Sequence, residues 1–94
     1  MDYKWYRPKK SSGSKMNIQT ATVTTEDFSY SFVVAGINLE SLVFGVKAYE
    51  INNGVKEEIR VTYYATNNGA DTVVSVSWET AFSGELELTY WKKS

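Results

Sequence analysis

Two Asn-Gly pairs, Asn53-Gly54 and Asn68-Gly69, stand between runs in which apolar residues occupy every second position. Asn and Gly tolerate positive φ, and a two-residue loop built from them matches the right-handed twist of paired strands. Such a pair therefore fixes which residues of the flanking strands lie opposite one another. With Asn53-Gly54 as a tip, Ala48 is expected opposite Ile59, Val46 opposite Val61, Phe44 opposite Tyr63 and Leu42 opposite Ala65. This is an unbroken apolar ladder, and a slip of one residue would set Lys47 against Ile59. With Asn68-Gly69 as the next tip, Tyr63 faces Val74, Val61 faces Val76 and Ile59 faces Trp78. A longer loop through Asp71 keeps the same faces and shifts the pairing by two. A loop at 80–84 then sets Trp78 against Leu86, Val76 against Leu88 and Val74 against Tyr90. Residues 42–91 are thereby expected to form a four-stranded antiparallel meander with one apolar face.

That face needs a cover. Just upstream, Phe28, Tyr30, Phe32 and Val34 alternate with Ser29, Ser31 and Val33, after a weaker Thr-rich strand at about 18–24. Two sheets packed face to face follow: an all-β fold, a small antiparallel β-sandwich of jelly-roll or Ig-like type, with an N-terminal extended arm. The domain reading is a basic aromatic arm or linker at 1–16 and a β-sandwich domain at 17–94. The arm lacks alternation, carries Tyr3, Trp5 and Tyr6 among Lys4, Arg7, Lys9 and Lys10, and ends in Ser11, Ser12, Gly13, Ser14 and Lys15. Without it fewer than 80 residues remain, a size at which folded domains bury only about 60% of their unfolded surface and association is a common supplement.

Charge divides along the chain. The ends are basic, through the arm and Lys92 and Lys93, while every acidic residue except Asp2 lies between them, opposed only by Lys47, Lys56 and Arg60. An arm of this kind is expected first to lie on an acidic surface of its own or a neighbouring subunit. An unstructured leader comes second, and a nucleic-acid contact through phosphate neutralisation and stacking third. The chain starts without the apolar stretch of a secretory signal and has no apolar run long enough for a membrane-spanning helix.

Chemistry is narrowly bounded. The 94 residues include no Cys and no His, so the chain cannot itself assemble the usual zinc sites or the common nucleophile–base pairs. Glu85 and Glu87, with Glu58 and Glu79 near them, form a carboxylate group that a solvated strand face explains equally well. Asn67, Asn68 and Asp71 offer oxygens to calcium, but too few, and a turn accounts for them. No catalytic residue, metal site or cofactor is expected, and the protein is read as a non-enzyme.

The expected outer face of the meander is more informative. Val43, Tyr64, Val73 and Trp91 fall in one row there, and with Trp5, Tyr6, Arg7, Lys9 and Lys10 of the arm they make up the expected binding surface. An apolar row with a polar rim marks a contact surface. Partner contact ranks first, cover by the chain's own arm second, and sugar stacking third, with Thr62, Ser75, Ser77, Thr89 and Asn67 as hydrogen-bonding neighbours.

The basic aromatic arm from Tyr3 to Lys10, the stretch from Leu42 to Gly54 and the closing strand from Gly84 to Trp91 together resemble, in style, the short all-β accessory proteins of bacteriophage particles, the head-decoration and tail or fibre subunits. The resemblance implies a structural role in a symmetric assembly, location in a virion, and protein neighbours in a homo-oligomer. The alternative function is a carbohydrate-binding, lectin-like module, and a nucleic-acid-binding arm protein stands third.

Overall fold

A computed structural model describes residues 15–93. Trp5, Tyr6, Arg7, Lys9 and Lys10 lie outside the described residues, and with them almost all of the arm. Among the described residues seven strands follow in order: β1 (Asn17–Val23), β2 (Ser29–Val34), β3 (Leu42–Asn52), β4 (Val55–Ile59), β5 (Thr62–Asn68), β6 (Asp71–Ser77) and β7 (Gly84–Lys92), with a short 3-10 turn at Leu39–Ser41.

The first Asn-Gly pair turns the chain as its chemistry requires. Asn53 (φ 51°) and Gly54 (φ 81°) both take positive φ, and the register runs from Asn52 opposite Val55 to Ala48 opposite Ile59. The second does not form the tip by itself. The β5–β6 hairpin closes with Asn68 opposite Asp71, so Gly69 and Ala70 are the loop, and the positive φ (65°) falls on Gly69 at its first position. A hairpin turn with positive φ at that position selects Gly. Tyr63 therefore pairs with Val76, the register shifted by two.

The meander itself is not one sheet. The β3–β4 ladder stops at Ile59, Arg60 and Val61 belong to no strand, and the chain resumes as β5 in the opposite layer. The layers have the orders β1-β7-β3-β4 (sheet A) and β2-β6-β5 (sheet B). Val46 is thus not paired with Val61, nor Phe44 with Tyr63. Likewise β7 pairs with β1 and β3 rather than β6, and β1 and β2 part company, one joining each sheet. The reason is burial. A four-stranded apolar face needs more cover than two upstream strands supply, one of them mostly threonine and small residues. Folding the β5–β6 hairpin over the β3–β4 hairpin lets the meander cover itself. The two antiparallel sheets pack face to face, the small all-β sandwich expected from the sequence.

Facing was nonetheless decided by alternation. Phe32, Val34, Val74 and Val76 from sheet B meet Val23, Ala48, Leu86 and Leu88 from sheet A in one core, with Trp78 and Phe82 closing its end. Trp78 Nε1 donates to the Asp27 carbonyl oxygen at 2.9 Å, and its ring meets Phe82 edge-on with centroids 5.2 Å apart. At the other end the connection between β2 and β3 is tied down by three side chains. Thr72 Oγ1 donates to the Ile37 carbonyl (2.8 Å), Asp71 Oδ1 accepts from the Gly36 N–H (2.8 Å) and Asn67 Oδ1 from the Leu39 N–H (2.8 Å). No helix among the described residues is long and apolar enough to cross a membrane.

Candidate functional site

Splitting the meander redistributes the residues of the expected outer row. Val43 and Trp91 remain directly opposite each other, on the outer face of sheet A. Tyr64 and Val73 lie on the outer face of sheet B, Tyr64 beside Ser75 and Val73 between Val33 and Thr66. The two pairs are on opposite sides of the molecule, so the four residues do not form one surface.

What the fold creates instead is a division of charge between the sheets. The strands of sheet B contain a single charged residue, Asp71, at one end of β6. Those of sheet A contain Lys47, Glu50, Lys56, Glu57, Glu58, Glu85, Glu87 and Lys92. The outer face of sheet B can be written row by row from the register: Ser29, Ser77 and Thr62; Ser31, Ser75 and Tyr64; Val33, Val73 and Thr66. It is a field of small hydroxyls with two large apolar projections, Tyr64 at 61% exposure and Val33 at 51%. No Lys, Arg or Glu interrupts these rows. Linear reading of the sequence missed this, because the charge difference appears only once 55–59 and 62–68 are assigned to different sheets.

The outer face of sheet A has a different character. Lys56 on β4 reaches across Tyr49 on β3 to Glu85 on β7, with Nζ 3.0 Å from Oε1 and 5.5 Å from the centre of the tyrosine ring. A hydrogen bond from Lys56 to Glu85, then the charge of that carboxylate, holds the lysine above its ordinary pKa. Glu85 is therefore engaged in a cross-strand bridge, and Glu58 is separated from it by Tyr49. Two spacings of about 4.8 Å set those strands apart. Glu79 is not part of this group, since it lies at the mouth of a cleft between the sheets. That cleft, of about 740 Å³, is open at the β4–β5 crossing and lined by Glu50, Ile59, Arg60, Val61, Trp78 and Glu79, among others.

Of the residues considered for calcium, Asn67 and Asp71 are occupied as acceptors for backbone N–H groups. No cluster of three or more metal-ligating side chains occurs among the described residues. Of the hydroxyl and amide groups considered as sugar contacts, Thr62, Ser75 and Ser77 do surround Tyr64, whereas Thr89 is on sheet A and Asn67 faces inward beside Thr72. No family model, curated protein or solved structure matches this chain.

Proposed function

We propose that the protein is a non-enzymatic structural subunit that joins protein neighbours, including copies of itself, through the outer face of sheet B. The observation that carries the reading is the uncharged face with Tyr64 and Val33 exposed on its two flanking strands, β5 and β2. The cores of protein interfaces are depleted of charge and enriched in aromatic residues, because charges lose hydration there while a tyrosine buries apolar area and keeps its hydroxyl bonded at the edge. On a sandwich this small, a face left without charge on one side only is a place for contact rather than for solvation. The style shared with bacteriophage head-decoration and tail or fibre subunits agrees with such a role, and in that setting the protein belongs in the virion.

The test is solution mass by analytical ultracentrifugation over a range of concentrations. Tyr64→Ala should weaken association by about 1–3 kcal/mol, and Val33→Lys, which inserts a charge, by at least as much, with thermal unfolding of the monomer little changed. A mass that stays monomeric throughout in the unsubstituted protein removes the proposal.

One observation favours a second reading. Tyr64 stands among Ser75, Thr62, Ser77 and Ser31, a planar ring in a field of hydroxyls of the kind that sugars stack on and bond to. If the face takes glycans, Tyr64→Ala abolishes retention on a glycan array while the mass of the protein stays the same.

A further inference from the structure

β3 is eleven residues long, but β4 pairs only with its second half, from Ala48 to Asn52. Between Leu42 and Lys47 it has β7 on one side and, among the described residues, no strand on the other. In a two-residue hairpin the residues flanking the tip exchange both backbone hydrogen bonds, and the side to which N–H and C=O point alternates along the strand. Asn52, Glu50 and Ala48 therefore turn these groups toward β4, and the odd-numbered residues toward β7. Two bonds agree with that parity: Ile51 N–H donates to the Ser83 carbonyl (3.0 Å) and Lys93 N–H to the Ser41 carbonyl (2.8 Å), both on the β7 side. Phe44 and Val46 consequently aim N–H and C=O at the open side, where no partner among the described residues meets them. The N–H of Leu42 is already taken by the Leu39 carbonyl.

A cleft of about 590 Å³ opens where this edge meets the end of β4, lined by Val46, Lys47, Glu58, Ile59, Arg60, Val61 and Tyr63. The core-facing side chains beside it, Phe44, Val46 and Val61, are only half-buried, whereas Ala48, Leu86 and Leu88 are enclosed. Such a slot fits an extended segment whose alternate residues are apolar. The arm as a whole lacks alternation, but outside the described residues Tyr3 and Trp5 stand two apart. In an extended backbone Tyr3 and Trp5 would share one side and Lys4 and Tyr6 the other, and Pro8, with no N–H, would end the pairing.

We propose that residues 3–7 dock as an additional strand on the open 42–47 edge of β3 in the same molecule, with Tyr3 and Trp5 facing Phe44, Val46 and Tyr63. The proposal is independent of the contact assigned to sheet B. Length and position support it. The described chain begins beside Asn17, which pairs with Tyr90, and Tyr90 also faces Phe44, so the arm leaves at the same end of sheet A as the open edge. From β1 to a strand beyond β3 is three strand spacings, roughly 14 Å. The five-residue tether at 11–15 spans up to about 17 Å. Because the tether fixes the C-terminal end of the segment near Leu42, the added strand runs antiparallel to β3. A tether this short holds the segment at a local concentration in the millimolar range, which favours the molecule's own edge over that of a neighbour.

Amide hydrogen exchange by NMR on the full-length chain tests this. The Phe44 and Val46 amides should be protected, and Trp5→Pro, which removes an N–H from the added strand, should speed their exchange at least about tenfold while Val74 and Leu86 are unchanged. Trp5→Phe, which keeps the N–H and a ring, should retain the protection. Fast exchange at Phe44 and Val46 in the unsubstituted chain overturns the proposal. So does equal exchange in the Trp5→Pro variant, and so does a loss that extends to Val74 and Leu86, because an edge strand is not required by the core between the sheets. Protection that grows with protein concentration also overturns it, assigning the edge to a second copy's segment instead.

Discussion

Among the described glycines, Gly84 is the one where an added side chain collides with the backbone. It opens β7 between Val23 and Glu50, and a Cβ built there would lie 1.9 Å from the Tyr49 carbonyl oxygen, with the Tyr49 carbonyl carbon at 2.9 Å. The obstacle is backbone, so a side chain cannot rotate out of the way and β3 and β7 would have to separate. Gly84→Ala is expected to destabilise the protein by about 1–3 kcal/mol or more, as overpacking does in enclosed sites. In denaturant unfolding this reads as a lower midpoint with an unchanged slope. Gly45, also on β3, is the control: a Cβ there meets nothing within 4 Å, and Gly45→Ala should shift the midpoint far less.

Among the elements, hairpins were the legible part of the sequence and the assignment of hairpins to sheets was not. Asn53-Gly54 dictated its own turn, and with it Ala48 opposite Ile59, because the residues that permit positive φ are adjacent to the strands they join. Period-two alternation likewise placed Val74, Val76, Leu86 and Leu88 on the core side, since facing is a local property of a strand. Which sheet receives a hairpin depends on how much apolar area is left uncovered, a sum over distant residues that no local pattern contains. Arg60 and Val61, where the chain changes layer, bear no Gly, Pro or Asn to mark the break. The candidate surface was legible only to that extent: Tyr64 and Val73 fall on an outer face as alternation requires, but the charge-free rows around them emerge from the pairing of β2, β5 and β6. The Lys56–Glu85 bridge belongs to the same scale, because it spans β4, β3 and β7. Its lysine is held above the ordinary value in the fold, so the contribution to stability is complete below the unfolded lysine pKa and is lost as pH rises through the folded one. In an NMR titration of Lys56, Glu85→Gln should lower the midpoint. If the substitution leaves the Lys56 midpoint where it was, the bridge does not persist in solution.

For the whole molecule the two faces of the sandwich make opposite electrostatic predictions, and salt separates them. The outer face of sheet A is charged and the arm is basic, so the Coulombic part of any association through them weakens as the Debye length falls from about 10 Å at 0.1 M to about 3 Å at 1 M. Sheet B offers Tyr64, Val33, Val73 and hydroxyls, with Asp71 as its one charged residue. Burial of such a surface does not depend on screening, and excluded salts such as sulfate strengthen it. The mass of the protein at fixed concentration should therefore hold or rise between 0.1 M sodium chloride and high sodium sulfate, and Val33→Lys should abolish the association in both. Dissociation on adding salt would place the contact on sheet A or the arm. In that case Val33→Lys should leave the mass unchanged at low salt, so the pair of measurements identifies the face in use even when the first one goes against sheet B.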